Sequence, residues 1–559
     1  MSRPAPLTTE QRLVAGEVIR DGSLAAYRRL TLDGGEPHLV RDDLVPAAAL
    51  RWQDARAAGT VRPLLALAHI TDLQLADVQS PARFEFFNAH WQDPRFAELV
   101  PVQRPQEALT ARAVDATLRT INRLECAPIS GLPLGLALTT GDAIDNAQWN
   151  ELSAFLTLFD GGLVRSRSGG RDYEGVQTTA WPGEVFWRPD GDGPAGPDLF
   201  RAGYGFPHLP GLLNRALETF RSPGLDLPWL ACYGNHEGLL QGVAAINPRI
   251  STILVDGRKP SALDPAIDAD RAFETFVSAP ETFMSGSTRY VTPDLDRRPV
   301  SRHEFVEAHF RLGSRPFGHG FSGTNRRDGT AYYAYDAKTD AGPGARFIAL
   351  DTTCLAGGAD GALDVDQLGW LEDRLREVHS RYRTRAGDEV ITGEEDRLVV
   401  LFSHHGLDTL TNRRGGALRG AGSDGDDLAG AAAVRELLLR FPNVVLWING
   451  HTHQNAIRAR RHPDDPGRGY WEVTTCAIAD WPCQTRVVEL LDAGDGHLAI
   501  ACTMLDHASP PTPGTLASPA QLAALHRELA ANSPVLGLTS GLEGTATDRN
   551  VILLVRKPF

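Results

Sequence analysis

The chain of 559 residues is poor in lysine, in cysteine and in long hydrophobic runs. Three of its 56 basic residues are lysines, and no segment collects the Lys/Arg run that would follow a phosphate backbone or an anionic membrane. The 70 acidic residues give a net charge of -14. We therefore expect no obligate nucleic-acid partner.

Six cysteines without a CxxC pair are too sparse for a disulfide scaffold. The first 22 residues lack the apolar segment of a signal peptide. The longest apolar stretches, 63–70 and 444–448, fall far short of the ~20 residues that span a bilayer. These absences predict a cytoplasmic protein without a membrane partner.

What the sequence does contain is a series of short apolar runs that stop abruptly at polar residues. The runs and the polar clusters that follow them are 62–71 before Asp72, 135–140 before Gly141-Asp142, 228–233 before Gly234-Asn235-His236-Glu237, 398–403 before His404-His405, and 443–448 before Asn449-Gly450-His451-Thr452-His453. Continuous apolar runs of this length are typical of strands that are buried on both faces. Because ligands of open α/β sheets bind beyond the carboxyl ends of the strands, the clusters predict one common site.

Segments with helical spacing lie between and beyond these runs. The predicted helices are 108–124, 366–378, 433–440, 519–531 and one near 9–18. Residues 551–555 predict a final strand. The alternation of strands and helices indicates the α/β class.

The same pattern suggests a division of the chain. We expect an N-terminal extension over 1–60, a core domain over 61–505, and a C-terminal helix and strand over 506–559 that pack on the core. The stretches 161–210 and 241–330 are too long for ordinary loops, and we expect them to form a cap over the site.

Two groups of residues in these insertions have alternative interpretations. The aromatic residues of the first insertion predict a small core of its own, with a base-stacking platform as the alternative; they are Tyr173, Trp181, Phe186 and Trp187. The polar residues of the second could reach a substrate or lie in surface loops; they are His319, Asn325, Arg326 and Arg327.

In order and type, the five polar clusters resemble the motifs of the calcineurin-like metallophosphoesterase family over residues 62–455. The resemblance is to a bacterial branch with long insertions, related to class III phosphodiesterases and purple acid phosphatases. A single cluster would be weak evidence, whereas five in order, each after its own strand, are specific. The resemblance implies a calcineurin-like four-layer α/β sandwich, in which helices flank two mixed β-sheets.

The resemblance also implies two divalent or trivalent metal ions. The first would be bound by Asp72, Gln74, Asp142 and His453, and the second by Asp142, Asn235, His404 and His451. A carboxylate can bridge two cations, which suits Asp142. Mixed Asp, Asn and His donors favour Mn, Fe or Zn.

Position 74 departs from the family pattern, which is Asp-x-His where this chain has Asp72-Leu73-Gln74. The Gln74 amide oxygen is a weaker, neutral donor that could ligate a cation or leave its place to water. Purple acid phosphatases use a Tyr three residues after the Asp of the second cluster, and Asp145 stands there in this chain. Asp145 is either a substitute ligand, a helix N-cap or a support for a ligand.

For the reaction, the resemblance implies attack on phosphorus by a metal-bound hydroxide. Asp142, Asn235 and His236 are the expected catalytic residues, and His236 would stabilise the transition state or protonate the leaving group. Glu237 would orient His236 or cap the next helix. His69 and His405 are expected to be structural.

The predicted function is hydrolysis of phosphate esters, with phosphodiesterase favoured over phosphomonoesterase. The expected substrate is a small or medium phosphorylated molecule, a nucleotide or a metabolite, and an oligomer is possible. The alternative is a degenerate family member that binds phosphorylated ligands without turnover, with Gln74 marking a site that is losing its first metal. The other six predicted ligands and His236 are all present, which argues against this alternative.

Overall fold

A computed structural model describes residues 7–46, 48–194, 196–340, 342–414, 428–465 and 467–559. Two large mixed β-sheets organise this part of the chain. Within it, no helix is both long enough and apolar enough to cross a bilayer. The α/β class predicted from the sequence is confirmed.

The first sheet has seven strands and contains three of the predicted apolar runs. Its strands, in spatial order, are Leu39–Arg41, Val551–Arg556, His497–Leu505, Thr485–Asp492, Arg62–Ile70, Leu136–Thr139 and Trp229–Leu230. The last three are parallel neighbours, so their carboxyl ends meet at one edge. The N-terminal strand Leu39–Arg41 pairs in parallel with Val551–Arg556 and thus joins this sheet.

The second sheet has six strands and contains the other two runs. Its strands, in spatial order, are Tyr333–Ala337, Ala345–Leu350, Leu398–Ser403, Val444–Asn449, Gly469–Thr474 and Ala456–Arg461. The four central strands are parallel. Every residue of Leu398–Ser403 and Val444–Asn449 is buried, as expected for strands covered on both faces.

Both sheets contribute to one hydrophobic cluster. Leu67 and Leu138 of the seven-stranded sheet share it with Phe347 and Val400 of the six-stranded sheet. Alternate residues point the other way because side chains alternate along a strand. Ile348 and Leu401 accordingly pack on helices Val365–Arg376 and Ala431–Arg440, and Leu491 and Ile552 pack on helix Ala48–Ala57.

Smaller elements complete the fold. Paired short strands are Gln11–Arg20 with Tyr27–Gly34, Gly162–Val164 with Phe220–Ser222, Leu239–Leu240 with Ala244–Ala245, Arg258–Pro260 with Thr288–Tyr290, Leu363–Asp364 with Leu428–Ala429, and Arg381–Arg383 with Glu389–Ile391. The remaining α-helices are Thr110–Ile121, Trp149–Asp160, Leu199–Tyr204, Leu212–Ala216, Asn235–Gly238, Pro248–Val255, Ala272–Ser278, Arg302–Ala308, Gly323–Asp328 and Pro519–Ala531.

Four of the five predicted helices are confirmed, and the helix near 9–18 is wrong. That segment is the strand Gln11–Arg20, paired antiparallel with Tyr27–Gly34. Gly16 disfavours a helix interior, and the β-branched Val14 and Val18 suit a strand. Leu13 is buried against Trp481, which is more than 450 residues away in the sequence. Local periodicity cannot predict such a long-range contact.

The aromatic residues of the first insertion pack in cores. Trp181 and Phe186 form a small cluster with Val176, which confirms the predicted core for these two. Tyr173 and Trp187 belong to a different cluster that includes Leu525 and other residues of the C-terminal helix. Whether the two insertions cap the site stays a prediction.

Buried ion pairs connect the second insertion to residues 77–107. Lys259 Nζ lies 2.7 Å from Glu85 Oε2, and both side chains are fully buried. Arg297 Nε lies 3.0 Å from Asp77 Oδ2, again with both side chains buried. Because an unpaired buried charge is costly, each pair fixes the position of the insertion on the segment that follows the first motif.

Replacing Lys259 with Met should therefore destabilise the protein. The change removes the closer of the two cations beside the buried Glu85 carboxylate and leaves it only the 3.5 Å contact to Arg83, at a cost of up to about 3 kcal/mol. Thermal and urea unfolding measure the loss. Arg258→Gln is the matched control, because Arg258 is 71% exposed and its removal should change stability by less than about 0.5 kcal/mol. Equal stability of the two variants would contradict the prediction.

Candidate metal centre

The five polar clusters meet where the parallel strands of the two sheets end. Backbone hydrogen bonds join the loops of neighbouring strands: Gln74 N–H donates to the Asp142 carbonyl at 2.8 Å, and Gly450 N–H donates to the His404 carbonyl at 3.0 Å. The His451 N–H spans the two sheets and donates to the Asp72 carboxylate at 3.1 Å. The convergence that the sequence predicted is confirmed.

Two glycines of the motifs permit this close approach. A Cβ on Gly234 would collide with the Asp142 carboxylate, and one on Gly450 would collide with the side chains of Thr71 and Asp72. The loops could not come together with any larger residue at these positions.

Five of the seven predicted ligands have left-handed backbone conformations. Their φ angles are 50° for Asp72, 42° for Gln74, 51° for Asp142, 70° for His451 and 57° for His453. Such angles are uncommon for residues other than glycine and cost of order 1 kcal/mol or more each. The fold accepts this strain where it directs polar side chains inward.

The donor atoms form a continuous series. His453 Nε2 lies 3.4 Å from Asp72 Oδ1, and His404 Nε2 lies 3.1 Å from Asp142 Oδ2. One ligand atom from each of Asp72, Asp142 and His404 can be chosen so that all three lie within 4.8 Å of one another. His404 Nε2 also lies 3.2 Å from His451 Nδ1. Asp142 is thus central, with Asp72 and His404 both close to it.

Two amide oxygens at the site have no hydrogen-bond partner among the described residues. They are Asn235 Oδ1 and Gln74 Oε1, and both are buried. The Asn235 amide nitrogen donates to the Gly242 carbonyl at 2.9 Å, which fixes the orientation of that amide. Buried polar atoms are nearly always paired, so each oxygen is free to bind a ligand outside the chain.

The electrostatics of the site favour added positive charge. Burial disfavours the protonated form of His404, but the Asp142 carboxylate raises its pKa to about 9. Burial likewise opposes protonation of His453, and its hydrogen bonds to Asp480 and Asp72 raise its pKa to about 9. Burial and the nearby His404 lower the pKa of His451 to about 3. The buried carboxylates of Asp142, Asp72 and Asp480 thus stabilise positive charge on two of the three imidazoles, those of His404 and His453.

Hydrogen bonds fix the orientation of two of these imidazoles. His453 Nδ1 lies 2.6 Å from Asp480 Oδ2, and Arg104 holds the other Asp480 oxygen at 2.8 Å. His404 Nδ1 donates to the Thr140 carbonyl at 2.8 Å. Each arrangement leaves Nε2 for a ligand. Sequence reasoning missed Asp480, which lies six residues after the strand Gly469–Thr474 in no recognisable motif.

Glu237 holds the second and third motifs together. Its carboxylate accepts backbone hydrogen bonds from Gly234 at 2.7 Å, Asp142 at 2.8 Å, Ala143 at 2.7 Å and Ile144 at 3.2 Å. It contacts the first turn of its own helix and the loop that carries Asp142. Glu237 therefore caps its own helix and not the next one, and it positions the loop of Asp142; its predicted role in orienting His236 stays a prediction.

Asp145 supports His236 and is not placed as a ligand. Its carboxylate is bound by Arg83 Nε at 2.9 Å, and its carbonyl accepts a 2.6 Å hydrogen bond from His236 Nδ1. His236 Nε2 therefore has a lone pair in the neutral ring, and the Gln74 amide nitrogen lies 3.3 Å from it. Gln74 thus offers its N–H to His236 while its oxygen is unpaired.

Other histidines lie outside the donor series. His405 is close to His404 and His451, but Thr352 and the Ala359 carbonyl contact its two ring nitrogens at 2.8 Å each. His69 is a buried core residue between Thr475 and Thr140, as predicted.

The candidates from the second insertion are structural. His319 is fully buried and stacks on Trp229 with ring centroids 3.6 Å apart, which corrects its assignment to an accessible loop. Asn325 belongs to a helix cap with Ser322. Arg326 pairs with Glu307, and Arg327 pairs with Asp328.

The residues present fit a pair of metal ions. Three imidazoles, two carboxylates and two unpaired amide oxygens supply nitrogen and oxygen donors without a thiolate, a set that suits Mn, Fe or Zn. The buried amide oxygens are the strongest sign, since within the described part of the chain nothing else satisfies them.

No protein-family model and no curated protein sequence matches the chain. Among solved structures, it is similar to a dimetal phosphatase from Danio rerio, with a TM-score of 0.34 and 12% identity over 80% of this chain and 100% of that chain. It is also similar to a purple acid phosphatase from yellow lupin (Lupinus luteus) seeds, with a TM-score of 0.29 and 9% identity over 85% of this chain and 53% of that chain. Both likenesses are too distant to indicate the function of this chain.

Replacing Asp480 with Asn should weaken metal binding. The carboxylate that orients His453 is lost while the side-chain volume is kept, and changes of this kind typically cost about 10–100-fold in affinity. Calorimetric titration of Mn²⁺ into the chelator-treated protein measures the effect. Asp492→Asn is the control, because Asp492 is another buried, ion-paired carboxylate, bound to Lys557 at 2.9 Å. If both variants bind Mn²⁺ like the wild type, Asp480 does not serve the centre.

Proposed function

We propose that the protein hydrolyses phosphate esters with two bound metal ions, as a calcineurin-like metallophosphoesterase whose two mixed sheets are the inner layers of a four-layer sandwich. The observation that carries the proposal is the position of Asp142. Its carboxylate lies 3.1 Å from His404 and close to Asp72, with the unpaired oxygen of Asn235 in the next motif. A carboxylate so surrounded by donors is suited to bridge two cations.

We assign the ligands as the motifs suggest. The first ion would be held by Asp72, Gln74, Asp142 and His453, and the second by Asp142, Asn235, His404 and His451. When bound, such ions lower the pKa of water and neutralise charge on phosphoryl oxygens.

His236 is the proposed acid of the reaction. Its Nδ1–H is held by the Asp145 carbonyl, so the ring has one orientation and presents Nε2. Nε2 lies 3.8 Å from Asp142 Oδ2, near enough to the bridging carboxylate to reach a phosphoryl group bound there. Protonated at Nε2, His236 would donate to a phosphoryl oxygen or to the leaving group.

The substrate we propose is small or medium-sized, a nucleotide or a phosphorylated metabolite. We favour a phosphodiester over a monoester. The two insertions at 161–210 and 241–330, if they roof the site, would exclude long polymers.

The first test is hydrolysis of bis-p-nitrophenyl phosphate and p-nitrophenyl phosphate with Mn²⁺ and then with chelator. We expect chelator-sensitive turnover, faster on the diester. Asn235→Ala and His451→Ala should each lower kcat by at least 100-fold, because each removes a ligand of the second ion. The control is His303→Gln, which changes an exposed histidine outside the site.

Circular dichroism shows whether the variants are folded. Unchanged hydrolysis in both ligand variants would overturn the metal assignment. Binding of Mn²⁺ without turnover of either substrate would instead favour the degenerate, ligand-binding alternative.

Substitutions of Gln74 separate its two proposed roles. Gln74→Glu keeps an oxygen donor and places an acceptor opposite His236 Nε2, which favours the protonated ring, so the variant should keep two metal ions per chain and a kcat within about 10-fold of the wild type, the equivalent of one hydrogen bond. Gln74→Ala should lose both activity and the first ion. Metal content by elemental analysis and steady-state kinetics give the two readouts. Full metal content in Gln74→Ala would exclude Gln74 as a ligand.

A further inference from the structure

A basic groove lies where two strands of the second sheet begin and the last strand of the first sheet ends, away from the metal centre. It has a volume of about 240 Å³ and opens between the hairpin Arg381–Arg383/Glu389–Ile391, the end of helix Ala431–Arg440 and the end of the last strand. Six of the described residues that line it are basic and one, Glu389, is acidic. In a chain with a net charge of -14, such a concentration of positive charge is notable.

Three of the basic residues are neutralised by carboxylates. Arg440 binds Glu372 at 3.0 Å, Lys557 binds Asp492 at 2.9 Å, and Arg381 lies 3.7 Å from Glu389. These cations are matched within the protein and leave little charge for a ligand.

The other three are Arg383, Arg468 and Arg556. Among the described residues, no carboxylate oxygen comes within ion-pair distance of their guanidinium groups; Arg383 donates to the Gly387 carbonyl at 3.0 Å. Burial lowers the pKa of Arg468, Asp465 opposes that shift, and the charges of Arg383 and Arg556 lower it further. Arg383 and Arg556 therefore both repel the Arg468 guanidinium, and an anion in the groove would relieve that repulsion.

The groove and the metal centre lie at opposite ends of the same strands. Val444 and Gly469 line the groove and begin the strands Val444–Asn449 and Gly469–Thr474. The other ends of these strands lead into the loops of the metal centre. Six residues of extended chain span about 17 Å, so a ligand in the groove is not a ligand of the metal centre.

We propose that this groove binds a small anion with two or more linked phosphates, such as inorganic pyrophosphate or the phosphate chain of a nucleotide. The planar, forked guanidinium matches phosphate oxygens, and the three positive charges exceed the charge of about -2 on a single phosphate. The inference is independent of the proposed hydrolysis. Tyr382, stacked on Phe441 at 4.9 Å, also lines the groove and offers an aromatic edge to a nucleoside.

The test is calorimetric titration of the full chain, treated with chelator, with phosphate, pyrophosphate and ATP. We expect pyrophosphate to bind more tightly than phosphate and to raise the thermal midpoint. Arg468→Gln/Arg556→Gln should weaken pyrophosphate binding at least 10-fold. Arg385→Gln is the matched control, because Arg385 belongs to the same hairpin but pairs with Glu436 at 3.3 Å. Asn235→Ala, at the metal centre, should bind as the wild type does.

The same titrations show whether the groove recognises the phosphates alone or a whole nucleotide. Equal affinity for ATP and pyrophosphate indicates that phosphates alone are recognised, and tighter ATP binding indicates that the nucleoside is bound as well. If the double variant is unstable, Arg383→Gln on the exposed hairpin replaces it. Undiminished binding in the arginine variants, loss of binding in Asn235→Ala, or failure of all three probes to bind would each overturn the proposal.

Discussion

The burial of two neighbouring carboxylates, Asp72 and Asp142, governs the architecture of the site. Both lie at the meeting point of the sheets, and neither is exposed by more than 1%. Burying ionised groups is expensive unless positive charge or hydrogen-bond donors compensate them. The surroundings supply both: backbone amides of His451 and His236, and the rings of His404 and His453. The two metal ions of the proposed phosphoesterase would be bound by the same two carboxylates.

Backbone conformation, more than side-chain packing, brings the groups that compensate these buried charges together. Glycines allow the loops to touch, and left-handed turns direct the carboxylates and imidazoles inward. Other buried residues orient the ligands: Asp480 contacts His453 and is itself bound by Arg104, and the Thr140 carbonyl accepts a hydrogen bond from His404. The stability of the hydrophobic core that the two sheets share offsets the cost of the backbone strain and of the buried charges.

The sequence predicts the elements whose signals are local. The five apolar runs, four helices and the convergence of the clusters follow from periodicity and from the rule that parallel strands end at one edge. What it does not predict depends on distant contacts. The strand Gln11–Arg20 is stabilised by its partner strand and by Trp481. Asp480 and the arginines of the groove come from separate segments of the chain, so no local sequence motif predicts that they lie at these sites. His319 appears accessible in a glycine-rich stretch, yet it stacks on Trp229.

The hydrogen bonds of Glu237 have a thermodynamic consequence. By tying Gly234 to the loop 142–144, they remove conformational freedom from two motif loops through contacts internal to the chain. The loops therefore lose their conformational entropy when the protein folds, and ligand binding does not have to order them. In small zinc domains, metal association and folding are one event, whereas metal ions bound by these ordered loops would associate after folding. Metal exchange would leave the native state intact, and association would be governed by dehydration and proton release.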